Sequence, residues 1–218
     1  MTTGDPAVPS ESSSTRQWSP TGVIWTYFAW LLAPFLTVLF ARDTPFGPQV
    51  KYLVVPAFYL ATAVFLARYW YRLSWSDLGI PGEDAWRNLA VSIFLAVGYM
   101  LLSLAVAGPS PSEAAGNLLK LWRESKLRFA ARLFFSPILE ELFFRGVAFQ
   151  VFARRYNPNR AIFVTSILFA LAHLSLTQLP WLFFVGLVLG WFVQDPGSTL
   201  FAPIILHITL SFIHHMLQ

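Results

Sequence analysis

Acidic and basic residues are spaced so widely in this chain that the gaps between them dictate what it can become. No charged residue falls between Arg16 and Arg42, between Arg87 and Glu113, or between Arg160 and Asp195, and the last 23 residues after Asp195 carry none. A bilayer core of about 30 Å takes about 20 helical residues to cross, so each of these intervals can form a membrane span. The interval from Lys51 to Arg68 is shorter, but Tyr69, Trp70 and Tyr71 extend it with rings that favour the membrane interface. Only 12% of the 218 residues are charged and 56% are hydrophobic, against about 25% charged in an ordinary soluble domain. A disordered chain is excluded by this composition. With no cysteine, so are a disulfide scaffold, a thiol enzyme and a cysteine-based zinc module.

The interval between Arg160 and Asp195 holds 34 residues, a helix of about 51 Å if unbroken, longer than any bilayer core. Thr177-Gln178-Leu179-Pro180 is where it breaks. The expectation is a tight hairpin of residues 161–176 and 181–193, with a last span starting near Ser198. Residues 1–20, rich in Ser, Thr and Pro, are expected to be a disordered tail rather than a cleavable signal. Residues 110–128 mix leucines with Lys and Arg, as an interfacial helix does. The expected fold is therefore all-α. It is a polytopic transmembrane bundle of about seven to eight helices enclosing a polar cavity, with residues 21–218 as one domain. Membrane lipids are its surroundings. The net charge of +4 is scattered along the span flanks rather than gathered into a nucleic-acid-binding face. The 14 Lys and Arg other than Arg145 divide seven to seven across a seven-span arrangement, so charge bias assigns no orientation.

One apolar segment, residues 127–152, carries Glu140, Glu141 and Arg145 in its middle. Ionised groups at the centre of a membrane helix cost about 2.5 to 3.5 kcal/mol each, so three within six residues demand partners or water. At 100° per residue Glu141 and Arg145 lie roughly 40° apart around the axis and can pair, whereas Glu140 lies roughly 140° from Arg145 and faces elsewhere. Pro137 either kinks this helix or starts it with Ser136 as N-cap. Both versions expose polar backbone at membrane depth, which is tolerated beside protein or a water-filled cavity. His173, in the first arm of the hairpin, and His207, in the last span, add two imidazoles. One carboxylate and two imidazoles from separate spans suit general-base hydrolysis, with Glu140 taking a proton and an imidazole steadying a carbonyl oxygen. Zinc is a competing chemistry, because two His and one Glu form a known catalytic ligand set, but the His-Glu-x-x-His arrangement is missing. His214 and His215 near the C-terminus read as interfacial, and Phe143, Phe144 and Phe169 as packing or lipid-facing rings.

Glu140-Glu141-x-x-x-Arg145, then Phe169-x-x-x-His173, then His207 in a final span preceded by Gly186-x-x-x-Gly190, resembles the CAAX protease and bacteriocin-processing family of intramembrane glutamate endopeptidases. The likeness covers roughly residues 129–211. It implies a membrane bundle around a wet chamber and hydrolysis of a peptide bond near the C-terminus of a membrane-associated or lipidated peptide or protein, without a metal or other cofactor. By the resemblance Glu140 and His173 activate water and His207 belongs to an oxyanion site. An Asn four residues after that His completes the site in the family, and here position 211 is Ser. Glu141 and Arg145 are the structural ion pair. The alternative expectation is a non-catalytic accessory or immunity protein of the same fold.

Overall fold

A computed structural model describes residues 18–41, 43–47, 50–79, 85–107, 110–194 and 198–217. Most of the expected N-terminal tail, residues 1–17, lies outside them. Its last part does not behave as a tail: Trp18 stacks on Tyr71 with ring centroids 6.3 Å apart and receives the Arg154 guanidinium 4.4 Å above its ring. Eight helices follow, and among the described residues there is no strand. We label them α1 (Thr21–Ala41), α2 (Val50–Trp70), α3 (Ala85–Ala107), α4 (Pro111–Glu124), α5 (residues 126–155), α6 (Pro158–Ala172), α7 (Leu179–Trp191) and α8 (Phe201–Met216).

Local sequence explains where these helices start. Ser110 caps α4 through a reciprocal box, accepting from the Glu113 amide at 3.4 Å while the Glu113 carboxylate accepts from the Ser110 amide at 2.8 Å. Ser125 opens α5 by accepting from the Arg128 amide at 3.2 Å, and Asn157 opens α6 by accepting from the Arg160 amide at 2.9 Å. Proline stands in the first turn of α4, α6 and α7, where its missing N–H has no helical partner to lose.

One expectation about local structure is narrowed and another corrected. Of the two alternatives at Pro137, the start with a Ser136 cap falls away: α5 runs on through residues 126–155, with π-turns at Ala131–Phe135 and Leu142–Ala148. The wide turn just before Pro137 adjusts the helix where the proline has no N–H to give, and it frees the Ser136 hydroxyl for another partner. The first arm of the hairpin stops at Ala172 rather than Leu176, so His173 is the residue at the helix end and Leu174 takes a left-handed conformation, φ 51°.

The hairpin arms α6 and α7 approach closely because Gly186 faces Ser166: a Cβ on Gly186 would lie 2.9 Å from the Ser166 Cα. Helix α5 crosses the centre, packing on α2, α6 and α8, while α8 also covers α3 and α4. Polarity runs opposite to that of a water-soluble globule. Trp25, Tyr69, Trp86 and Phe94 point outward, while Glu141, Arg145, Thr165 and Ser166 are fully buried. Val50–Trp70 is long and apolar enough to cross a bilayer, and Thr21–Thr37, Leu89–Leu102, Pro158–Ala172, Leu179–Trp191 and Phe201–Met216 are shorter apolar stretches. Washing membranes with alkaline carbonate is expected to leave the protein in the pellet. Folded protein in the supernatant would contradict a lipid-facing exterior.

Candidate active site

The adjacent glutamates of α5 point into different surroundings. Glu141 is fully buried, and its Oε1 accepts from Arg145 Nη1 at 3.0 Å and from His207 Nδ1 at 2.8 Å. Arg145 is equally buried. Its Nη2 donates to the carbonyl of Gly186 at 3.0 Å, and the guanidinium lies 4.6 Å from the Phe169 ring centre, a cation–π contact. One ion pair thus ties α5 to α6, α7 and α8. The Gly186 carbonyl is within reach because the glycine lets α7 settle against α6.

The contact to Glu141 also fixes a proton on Nδ1 of His207. An ionised carboxylate only accepts, so Nδ1 carries a proton and Nε2 turns toward the cavity. His173 reaches the same state by a different route: its Nδ1 donates to the Phe169 carbonyl at 2.9 Å. Both free Nε2 atoms face Glu140, whose Oε2 lies 3.9 Å from each. That is too long for a direct hydrogen bond and suited to a shared water. Glu140 Oε1 is held by the Ser136 hydroxyl at 2.5 Å.

These groups line a cavity of about 880 Å³. Ser211, one turn beyond His207, lines it too. His214 and His215, expected at the membrane interface, also line this cavity, seven and eight residues beyond His207 on α8. Phe143, Phe144 and Phe169 are core residues and none faces lipid. Among the described residues no three His, Asp or Glu side chains come together as a metal-binding group. Sequence reasoning missed three contacts. Ser136, four residues before Glu140, was legible as a same-face neighbour; the approaches of Glu141 to His207 and of Arg145 to Gly186 had no local signal.

Removing one partner of a buried ion pair costs about 3 to 5 kcal/mol, because the other charge is left uncompensated. Glu141→Gln is therefore expected to lower the melting temperature in detergent strongly, and Glu140→Gln, whose carboxylate faces the cavity, to lower it little. Thermal unfolding of the two variants checks this ordering; equal losses would mean that Arg145 does not depend on Glu141.

No curated protein and no solved structure matches the chain. A family model does: residues 122–213 match type II CAAX prenyl endopeptidase Rce1-like. The matched stretch contains Glu140, Glu141, Arg145, His173, His207 and Ser211. The family is membrane-embedded and its members are CAAX-protease-type hydrolases. Residues 122–213 of this chain, which carry Glu140, His173 and His207, are thus similar to that family.

Proposed function

We propose that this protein is a multi-pass intramembrane peptidase that hydrolyses a peptide bond near the C-terminus of a membrane-associated or lipidated substrate, with Glu140 as the general base. The observation that carries the reading is Glu140 Oε2, placed 3.9 Å from the Nε2 atoms of two imidazoles that come from different helices. A water between them donates one proton to Glu140 and the other to the unprotonated Nε2 of His173, which aims its lone pair at a substrate carbonyl. As the water oxygen bonds to the carbonyl carbon, its proton passes to Glu140 and negative charge collects on the carbonyl oxygen. His207, protonated on Nε2 as well, donates to that oxygen while buried Glu141 balances the imidazolium charge. The Ser211 hydroxyl supplies a second donor. Collapse of the intermediate breaks the C–N bond, and Glu140 hands its proton to the leaving amine, which restores the carboxylate. Trp30, Tyr59, Phe144 and Phe169 on the cavity wall suit an apolar peptide or an attached lipid.

The reaction is read as metal-independent. Ligand atoms about 2.0 to 2.1 Å from a tetrahedral zinc lie roughly 3.4 Å from each other, and both Glu140–imidazole separations are wider at 3.9 Å. With a membrane-peptide library and purified protein in detergent, Glu140→Gln is expected to abolish cleavage by the wild-type protein, and cleavage is expected to persist in EDTA and 1,10-phenanthroline. Chelator inhibition reversed by zinc would turn Glu140, His173 and His207 into ligands.

The serine at position 211 gives a graded test. A carboxamide reaches farther than a hydroxyl, so Ser211→Asn is expected to preserve or raise turnover. Ser211→Ala is expected to lower it by less than the ~10²–10³-fold lost with a donor in a well-built oxyanion site. Unchanged turnover in Ser211→Ala would place the second donor elsewhere.

A further inference from the structure

The charges on the cavity wall are unevenly distributed. Of the described residues that line it, Glu140 is the only carboxylate, while Lys51 and Arg132 bring basic side chains. Arg132 makes no ion pair with any described residue: its neighbour Arg128 takes Glu124, at 3.2 Å. Helices α2 and α5 run parallel, with residues 55–65 against 136–141 and 66–70 against 142–148, and α8 runs along α5 in the opposite sense, with His207 against Glu141 and Phe212 against Phe129 and Phe134. Lys51 at the start of α2, Arg132 near the start of α5, and His214 and His215 at the end of α8 therefore gather at one end of the cavity. Arg132, Ser136 and Glu140 follow at intervals of four along one face of α5. Eight residues separate Arg132 from Glu140, about 12 Å of helical rise.

We propose that Arg132, supported by Lys51, is a subsite for the free C-terminal α-carboxylate of the peptide. The inference rests on the reading of Glu140 as the base beside the scissile bond. A planar guanidinium can take a carboxylate through two parallel hydrogen bonds, and with no acidic partner of its own Arg132 is available to do so. The only other negative group on the wall is two turns away, so the bound carboxylate meets little repulsion. Extended peptide advances about 3.3 to 3.6 Å per residue, and 12 Å corresponds to three or four residues between the anchored terminus and the bond at Glu140. Arg132 is then a specificity residue: it sets the register of the tail and selects against internal segments and blocked termini.

Binding tests the subsite without requiring turnover. Glu140→Gln protein in nanodiscs of phosphatidylcholine is titrated with an apolar fluorescent hexapeptide bearing a free C-terminal carboxylate, and with the same peptide as its C-terminal amide. The acid is expected to bind about tenfold or more tightly than the amide. Adding Arg132→Ala should collapse that ratio to about one by weakening the acid alone, and Arg132→Lys should restore part of it. Equal binding of acid and amide, or an Arg132→Ala loss of the same factor on both, overturns the proposal. So does a preference that is absent for the peptide while phosphatidylglycerol in the disc binds in an Arg132-dependent way, since the cations would then serve lipid. Because cleavage is not the readout, failure of Glu140 as base and failure of the carboxylate subsite give different results: an intact acid preference in a protein that never cleaves would reject only the former.

Discussion

The ion pair between Glu141 and Arg145 is the constraint around which the C-terminal half of the molecule is assembled. Both side chains are fully buried and 3.0 Å apart, in a bundle whose exterior is apolar. Coulomb attraction alone rarely offsets the desolvation of two such charges. The balance here is helped by further contacts, each to another part of the chain: the Gly186 carbonyl, the face of Phe169, and the His207 imidazole. Satisfying the pair therefore requires α6, α7 and α8 to be in their native places around α5. Misplacing one of these helices would leave a buried charge short of a partner, which makes the pair a device for specifying one arrangement as much as for stabilising it.

Adjacent residues on a helix point about 100° apart, and the site exploits this. Glu141 faces protein on every side and is committed to Arg145 and His207. Glu140 faces the cavity, with one oxygen steadied by Ser136 and the other directed at two imidazoles. The π-turn that begins at Leu142 adds to the effect: it holds more residues per turn than an α-helix, so Glu141 and Arg145 come closer to alignment than the regular spacing allows. A carboxylate committed to buried partners and a carboxylate open to a cavity can thus be neighbours without sharing surroundings.

Much of this was legible in the sequence because it depends on spacing along one helix or on a count of uncharged residues. The long apolar runs gave the helical class, Thr177 to Pro180 gave the hairpin, and the interval of four gave the Glu141–Arg145 contact. The rest depends on which helices touch. That His207 leans on Glu141 follows from α8 crossing α5 beside that residue, and no pattern within either segment encodes the crossing. Pro137 left two alternatives open for a related reason. Its cost to a regular helix is real, but a π-turn immediately upstream provides an accommodation that hydropathy and capping rules do not anticipate.

The position of His173 shows why ending a helix early serves the site better than continuing it. Inside a regular helix the Phe169 carbonyl would also accept from the amide four residues on, and the His173 ring would have to share it. Here the His173 amide bonds instead to the carbonyl of Ala170 at 3.3 Å, and Leu174 leaves the helix in a left-handed conformation. The last carbonyls of a helix lack amide partners, and the one at Phe169 is taken by His173 Nδ1 at 2.9 Å. The imidazole caps its own helix. That bond fixes the proton on Nδ1 and leaves Nε2 free to face Glu140, so the tautomer needed at the site follows from the place where α6 stops. His207 has its Nδ1 proton held, and its Nε2 turned to the cavity, by the buried Glu141 instead.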